Sequence, residues 1–137
     1  MGTSVWVLRR DAVDQEDDFD HSKIFDVSEQ LDQVASKLGV RKVSEFFDWT
    51  DFDASMSSDE PLEDYEYVAS AKWFEPREAI PALEALLTHL KDDPGAAVHF
   101  GESPEVTATL VQELEDVLTK VKRAATDGST FNLCVVM

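Results

Sequence analysis

Two apolar periodicities run back to back between Ser103 and Met137, and together they limit what this chain can fold into. Val106, Leu110, Leu114, Val117, Val121 and Ala124 recur at spacings of three and four, which predicts one apolar stripe along a helix. Ser103 suits the N-cap and Pro104 the first helical position, where a missing N–H costs nothing. Glu105 in the first turn and Lys120, Lys122 and Arg123 near the end match the helix dipole. Gly128 stops the helix, and from Thr130 the period drops to two. Phe131, Leu133, Val135 and Met137 then share one strand face, with Asn132, Cys134 and Val136 on the other. Surfaces this apolar must be covered, so the preceding residues have to supply a core.

Upstream, Ser4 to Arg9 reads as a short strand, apolar on both sides. Asp11 to Asp20 holds six acidic residues and reads as an exposed loop. Ser28 is placed to cap a helix through Leu31, Val34, Ala35 and Leu38 that Gly39 stops. Ser44 is placed to cap a short turn bearing Phe46 and Phe47. Thr50 to Asp64 is polar and acidic, and is expected to be irregular. Alternation over Tyr65 to Phe74 predicts a second strand. Ile80, Leu83, Leu86, Leu87 and Leu90 predict a helix to about Lys91. Pro81 inside it would lack a donor, so a turn is expected at Pro76 to Ala79 and a regular helix from Pro81. The order of elements predicts an α+β fold: a single compact domain, 1–137, with a small, mostly antiparallel sheet packed against three or so helices.

Charge is the unusual property. Twelve basic residues face 29 acidic ones, a net of −17. The excess is uneven: Asp11 to Glu66 holds 18 acids against four bases, a net of −14, leaving 11 against eight elsewhere. Such a field repels nucleic acid and anionic lipid, so neither is an expected partner. It attracts basic proteins and speeds their encounter. The competing reading is that the acidity only keeps the chain soluble. No apolar run approaches a membrane span. Val5 to Leu8 is too short for a leader, and Arg9 and Arg10 follow it instead of preceding it. With one cysteine and no internal disulfide, a cytoplasmic location is expected.

Motifs of chemistry are missing. Asp51-Phe52-Asp53 begins like a calcium loop, but Met56 stands where the turn needs glycine and Leu62 where a bidentate Glu is required. His21, His89 and His99 lack metal-ligand spacing. Cys134 sits among apolar residues, where a thiol is a small hydrophobe and not a nucleophile. No glycine-rich phosphate loop and no nucleophile elbow is present. The expectation is therefore no catalytic residue, no metal and no cofactor. What remains is an aromatic group beside the acidic segment. Large aromatics in a small domain usually pack inward, yet aromatic anchors ringed by charge also build interfaces. Asp48, Trp49, Asp51, Phe52, Asp53, Asp59 and Glu60 are the candidate partner-binding residues, with Trp49 and Phe52 the aromatics expected at the surface.

Two segments carry a resemblance. Leu38-Gly39-Val40-Arg41-Lys42-Val43-Ser44-Glu45-Phe46 resembles an L-G-V-x-x-[LV]-S-x-F pattern. Lys72-Trp73-Phe74-Glu75-Pro76-Arg77-Glu78-Ala79 resembles a W-F-x-P-x-E-[AG] segment leading into a leucine-rich helix. With the closing helix and strand, they look like a group of small bacterial proteins of uncharacterised activity. The resemblance implies a bacterial origin and an intact domain, and it carries over no functional residue.

Three functions fit these observations. The first is a non-catalytic acidic module that binds a basic protein, in its most concrete form an immunity-type inhibitor of a basic bacterial toxin. The second is a small-ligand-binding protein or enzyme with a pocket formed by Trp49, Trp73, His89 and nearby carboxylates. The third is an acidic housekeeping protein without a specific basic partner. A terminal strand at a sheet edge would offer backbone groups for pairing, so both monomer and homodimer are open.

Overall fold

A computed structural model describes residues 3–12, 20–57, 63–92 and 104–136. The strands are β1 (Ser4–Arg9), β2 (Phe47–Asp48) and β3 (Phe131–Val136). Six α-helices lie among the described residues: α1 (Ser22–Asp26), α2 (Ser28–Leu38), α3 (Thr50–Ser57), α4 (Asp64–Ser70), α5 (Pro76–Asp92) and α6 (Pro104–Asp127). Single 3-10 turns occur at Arg10–Ala12 and Val43–Phe46. The fold is α+β, a small sheet packed on helices. α2, α5 and α6 are the three long helices that the apolar spacing predicts.

β3 occupies the middle of the sheet, in the order β1-β3-β2. β1 pairs with it antiparallel along its whole length, from Ser4 opposite Val136 to Arg9 opposite Phe131. β2 pairs with it parallel, Phe47 beside Leu133 and Asp48 beside Cys134. The closing strand is therefore no edge, and it cannot supply the dimer contact that an edge position would offer. Its alternation is satisfied on both faces. Phe131, Leu133 and Val135 enter the main core with Val5 and Val7, while Cys134 packs with Leu8 and Tyr67 on the reverse face. A sheet covered on both sides needs apolar residues on both faces, which is why β1 and β3 read as nearly continuous apolar runs.

The main core joins that sheet to the long helices. Leu110, Leu114, Val117, Val121 and Ala124 of α6 are all at most 1% exposed, as the stripe requires. They meet Leu83, Leu86, Leu87 and Leu90 of α5. Burying one such leucine stabilises the fold by about 1.5–3 kcal/mol. Gly39 and Gly128, both at φ 72°, end α2 and α6 in the left-handed conformation that only glycine adopts without strain. Val40 N–H then bonds Ala35 C=O at 3.0 Å, and Ser129 N–H bonds Ala124 C=O at 2.9 Å.

Five local expectations are overturned. Tyr65 to Phe74 is not a strand. Residues 64–70 form α4, and only Phe74 reaches the sheet, exchanging two hydrogen bonds with Phe131 at 2.8 and 3.0 Å. The alternating apolar residues there do not share a buried face: Tyr67 is 6% exposed and Tyr65 is 74% exposed. Thr50–Ser57 is helical, not irregular. Ser28 lies inside the first turn of α2, whose N-cap is Val27, because α1 already occupies the preceding residues. Ser44 does not cap its turn either; its N–H and hydroxyl are both held by Asp32. Finally, α5 begins at Pro76 and runs through Pro81. Pro81 is exposed and near the start of the helix, so the carbonyl its missing N–H leaves unmatched faces solvent.

Candidate interaction face around Trp49

The face is built where β2 turns into α3. Asp48, at the end of β2, is 3% exposed and points inward. Its Oδ1 accepts from Thr50 Oγ1 at 2.9 Å and from the Lys72 N–H at 3.0 Å. Its Oδ2 accepts from the Thr50 N–H at 3.2 Å and from the Tyr67 hydroxyl at 2.9 Å. The same hydroxyl accepts from Asn132 Nδ2 at 3.1 Å, and that amide also donates to Lys72 C=O at 3.0 Å. One buried carboxylate thus ties together β2, the start of α3, α4 and the central strand. Asn132 Oδ1 is buried without a hydrogen-bond partner among the described residues.

Electrostatics favour the protonated forms of Tyr67 and Cys134, the two groups beside Asp48. Burial, and secondarily the neighbouring Cys134 and the Asp48 charge, push the Tyr67 hydroxyl far above its ordinary range, so it stays a donor. Burial pushes the Cys134 thiol up to about 12, against an opposing effect of the neighbouring Tyr67 hydroxyl. A thiol held protonated is no nucleophile. Burial first, and then the Asp48 charge, raise the Asp51 carboxyl as well.

Above the network the next residue turns outward. Trp49 is 41% exposed. Its indole meets Phe52 edge-on at 5.3 Å, Phe25 at 6.0 Å and Phe47 at 6.4 Å between ring centres. Its carbonyl accepts from the Asp53 N–H at 2.8 Å and so opens α3. The exposed tryptophan is therefore held from below by three phenylalanines and at its backbone by a helix start. Half-buried Asp51 and exposed Asp53 follow it in the first turn of α3, and Met56, 68% exposed, lies further along that helix.

Of the seven candidate residues, Trp49 and Phe52 come into contact here; Asp51 and Asp53 follow them on α3, and Asp51 lies near enough to Asp48 and Cys134 for their charges to interact. Asp48 does not join them at the surface, because its oxygens are taken by four internal donors. Asp59 and Glu60 lie outside the described residues. Phe52 is half-buried as the support for Trp49 rather than a second exposed ring. The sequence reasoning missed Tyr67 and Lys72, which reach Asp48 from far along the chain. Asn132, a polar residue inside an apolar strand, was the available signal for a buried network.

The helical course of Thr50–Ser57 spreads its carboxylates around an axis, so they do not wrap an ion as a calcium loop would. Among the described residues, no group of three or more His, Cys, Asp or Glu side chains is placed to hold a metal. Trp49, Trp73 and His89 do not converge on a pocket. Trp73 packs edge-on against Tyr67 at 5.8 Å, and its Nε1 donates to Val68 C=O at 3.1 Å. His89 lines a groove whose other residues include neither tryptophan. His21, read as part of the acidic loop, is fully buried. Its Nδ1 bonds Val5 C=O at 2.7 Å and its Nε2 bonds Asp116 Oδ2 at 2.7 Å. Next to it, buried Glu113 accepts from the N–H groups of Ile24 at 3.0 Å and Lys23 at 3.3 Å, serving α1 as a cap from a distant helix.

The fold and face define a small acidic α+β protein with an anchored surface tryptophan. No family model matches the chain, and no curated protein or solved structure is similar to it. No described helix is long and apolar enough to cross a membrane.

Proposed function

We propose that this chain is a non-catalytic acidic module that binds a basic protein through the face around Trp49. The observation that carries the reading is the placement of Trp49: a large aromatic left 41% exposed, yet braced by Phe25, Phe47 and Phe52. An indole already fixed in place gives up little conformational freedom on binding, which is what an interface anchor requires. The net charge of −17 draws a basic partner toward the molecule. The most concrete form is an immunity-type inhibitor that covers the cationic site of a bacterial toxin in the cytoplasm. The inert Cys134 and the closed Asp48 network support a binding role over a chemical one.

Pull-down from source lysate with wild type and Trp49→Ala, at low and at moderate salt, tests this. A basic protein retained by wild type, weakened by salt and lost by Trp49→Ala supports the reading. Equal capture by both, or capture of no basic protein at either salt, overturns it. Trp49 is surface-exposed, so the variant's circular dichroism is expected to match wild type.

A further inference from the structure

The C-terminal ends of α2 and α5 meet at a groove of about 510 Å³, lined by Leu38 from α2 and by Glu84, Ala85, Thr88, His89 and Asp92 from α5. It shares no residue with the Trp49 face. Leu38 is the last residue of α2, so one negative helix end borders the groove. Exposed Glu84 and Asp92 add two carboxylates. Of the cations adjacent in sequence to the lining, Lys91 is directed elsewhere, its Nζ 2.8 Å from Glu115 on α6, while exposed Lys37 stands beside Leu38 at the end of α2. Leu38, 40% exposed, and half-buried Ala85 give the groove its apolar surface. The site therefore pairs an aliphatic patch with negative charge.

Its spacing selects the occupant. Glu84, Thr88 and Asp92 fall on one line along α5, which places the two carboxylates about 12 Å apart along the axis. No single ammonium or guanidinium spans that distance. The groove is also wide open to solvent, so a small free amine would keep most of its hydration and gain little. A polypeptide carrying two cations at that separation, with an aliphatic side chain between them, matches both the charge and the apolar patch. Among the described residues the lining consists of helix side chains and offers no strand edge to extend, which favours a helix over an extended peptide.

We propose that this groove docks a basic amphipathic helix of a partner protein, two cationic side chains two turns apart pairing with Glu84 and Asp92 around one aliphatic side chain seated on Leu38 and Ala85. The inference stands independently of the Trp49 face.

The test is fluorescence anisotropy of the full chain with a labelled synthetic helix bearing two arginines seven residues apart and a leucine between them. The controls are a peptide of the same composition with adjacent arginines, spermidine as a free-amine competitor, and the variants E84Q/D92N, Leu38→Ser and Trp49→Ala. The spaced peptide is expected to bind. E84Q/D92N is expected to weaken it about five- to tenfold, the loss of two exposed ion pairs. Leu38→Ser and the adjacent-arginine peptide are also expected to reduce affinity, and Trp49→Ala to leave it unchanged. Equal affinity for both peptides, full binding by E84Q/D92N, or displacement by spermidine at the peptide's own concentration would reduce the effect to general attraction by net charge and overturn the proposal. Absence of binding overturns it as well. The substituted side chains are exposed, and unchanged circular dichroism keeps each result a statement about the groove.

Discussion

Tyr67→Phe removes a single hydroxyl from the network beneath Trp49 and leaves the ring in place. That hydroxyl donates to Asp48 Oδ2 at 2.9 Å and accepts from Asn132 at 3.1 Å. Hydrogen bonds to a charged group contribute about 1.5–3 kcal/mol, and the loss of the Asn132 contact is softened because Nδ2 keeps Lys72 C=O. No cavity forms, so the expected destabilisation is about 2–3 kcal/mol. Asp48→Asn is expected to cost more, although it changes fewer atoms in shape. The carboxylate accepts two donors on each oxygen, so in either orientation an amide NH₂ must face two donors of its own kind. Leaving such a buried charge network broken costs about 3–5 kcal/mol. The assay is urea denaturation followed by tryptophan fluorescence, with the slope unchanged so that the midpoints report stability. A domain of this size shifts its Tm by roughly 3–5 °C per kcal/mol, which gives a second reading. A loss below about 0.5 kcal/mol in Tyr67→Phe, or a milder effect in Asp48→Asn, would refute the assignment of Asp48 as an inward hub.

Other substitutions follow from the same geometry. Burial raises the Glu113 carboxyl above its usual 4.5, with the N–H groups of Ile24 and Lys23 and the nearby His21 charge opposing the shift. A raised folded-state value means stability fully present below pH 4.5 and lost as pH rises through the folded value, and Glu113→Gln is expected to flatten that slope, keeping an oxygen for the Ile24 N–H while its NH₂ faces and loses the longer Lys23 bond. Glu113→Ala loses the cap outright, about 1 kcal/mol plus a cavity cost, measured by denaturation at neutral pH. Cys134, raised from 9.0 to about 12, holds its proton longer when folded than when unfolded, so stability declines as pH rises above 9 and through 12. Cys134→Ala is expected to lessen that alkaline decline, and the native thiol to resist iodoacetamide at neutral pH until the chain is unfolded. Pro81→Ala is expected to stabilise α5 by about 1–2 kcal/mol, the helical penalty of proline less its unfolded-state advantage, read as a raised Tm.

The sequence made the large elements legible because each has a long periodic signature. The α6 stripe, the α5 leucines and the two-faced closing strand are set by spacing within one element, and the structure keeps each of them. The short elements failed for a physical reason. α4 contributes one core contact, Tyr67, and one buried residue carries no period. α3 gains its start from Asp48 and from Trp49 C=O, groups that act on backbone donors and leave no apolar pattern. The N-terminus of α1 is completed by Glu113, far along the chain, so no local cap could reveal it. The site shows the same division. Trp49 was nominated by its acidic neighbours, whereas the inward role of its neighbour Asp48 depends on Tyr67, Lys72 and Asn132, which only tertiary contact brings together.

This division bears on the acidity itself. A net charge of −17 suggests a molecule coated in carboxylates, but several of them serve the interior. Asp48 holds β2, α3 and α4 together, Glu113 caps α1, and half-buried Asp32 grips Ser44. Others are matched by cations, Glu78 by Arg41 at 2.8 Å and Asp116 by Lys120 at 2.8 Å. Glu84 and Asp92 along the α2–α5 groove differ from these in where they stand, beside the exposed apolar surface of Leu38. Charge alone attracts any cation and is screened by salt. Charge beside an exposed leucine selects a cation attached to apolar surface, and that combination distinguishes recognition from solubility.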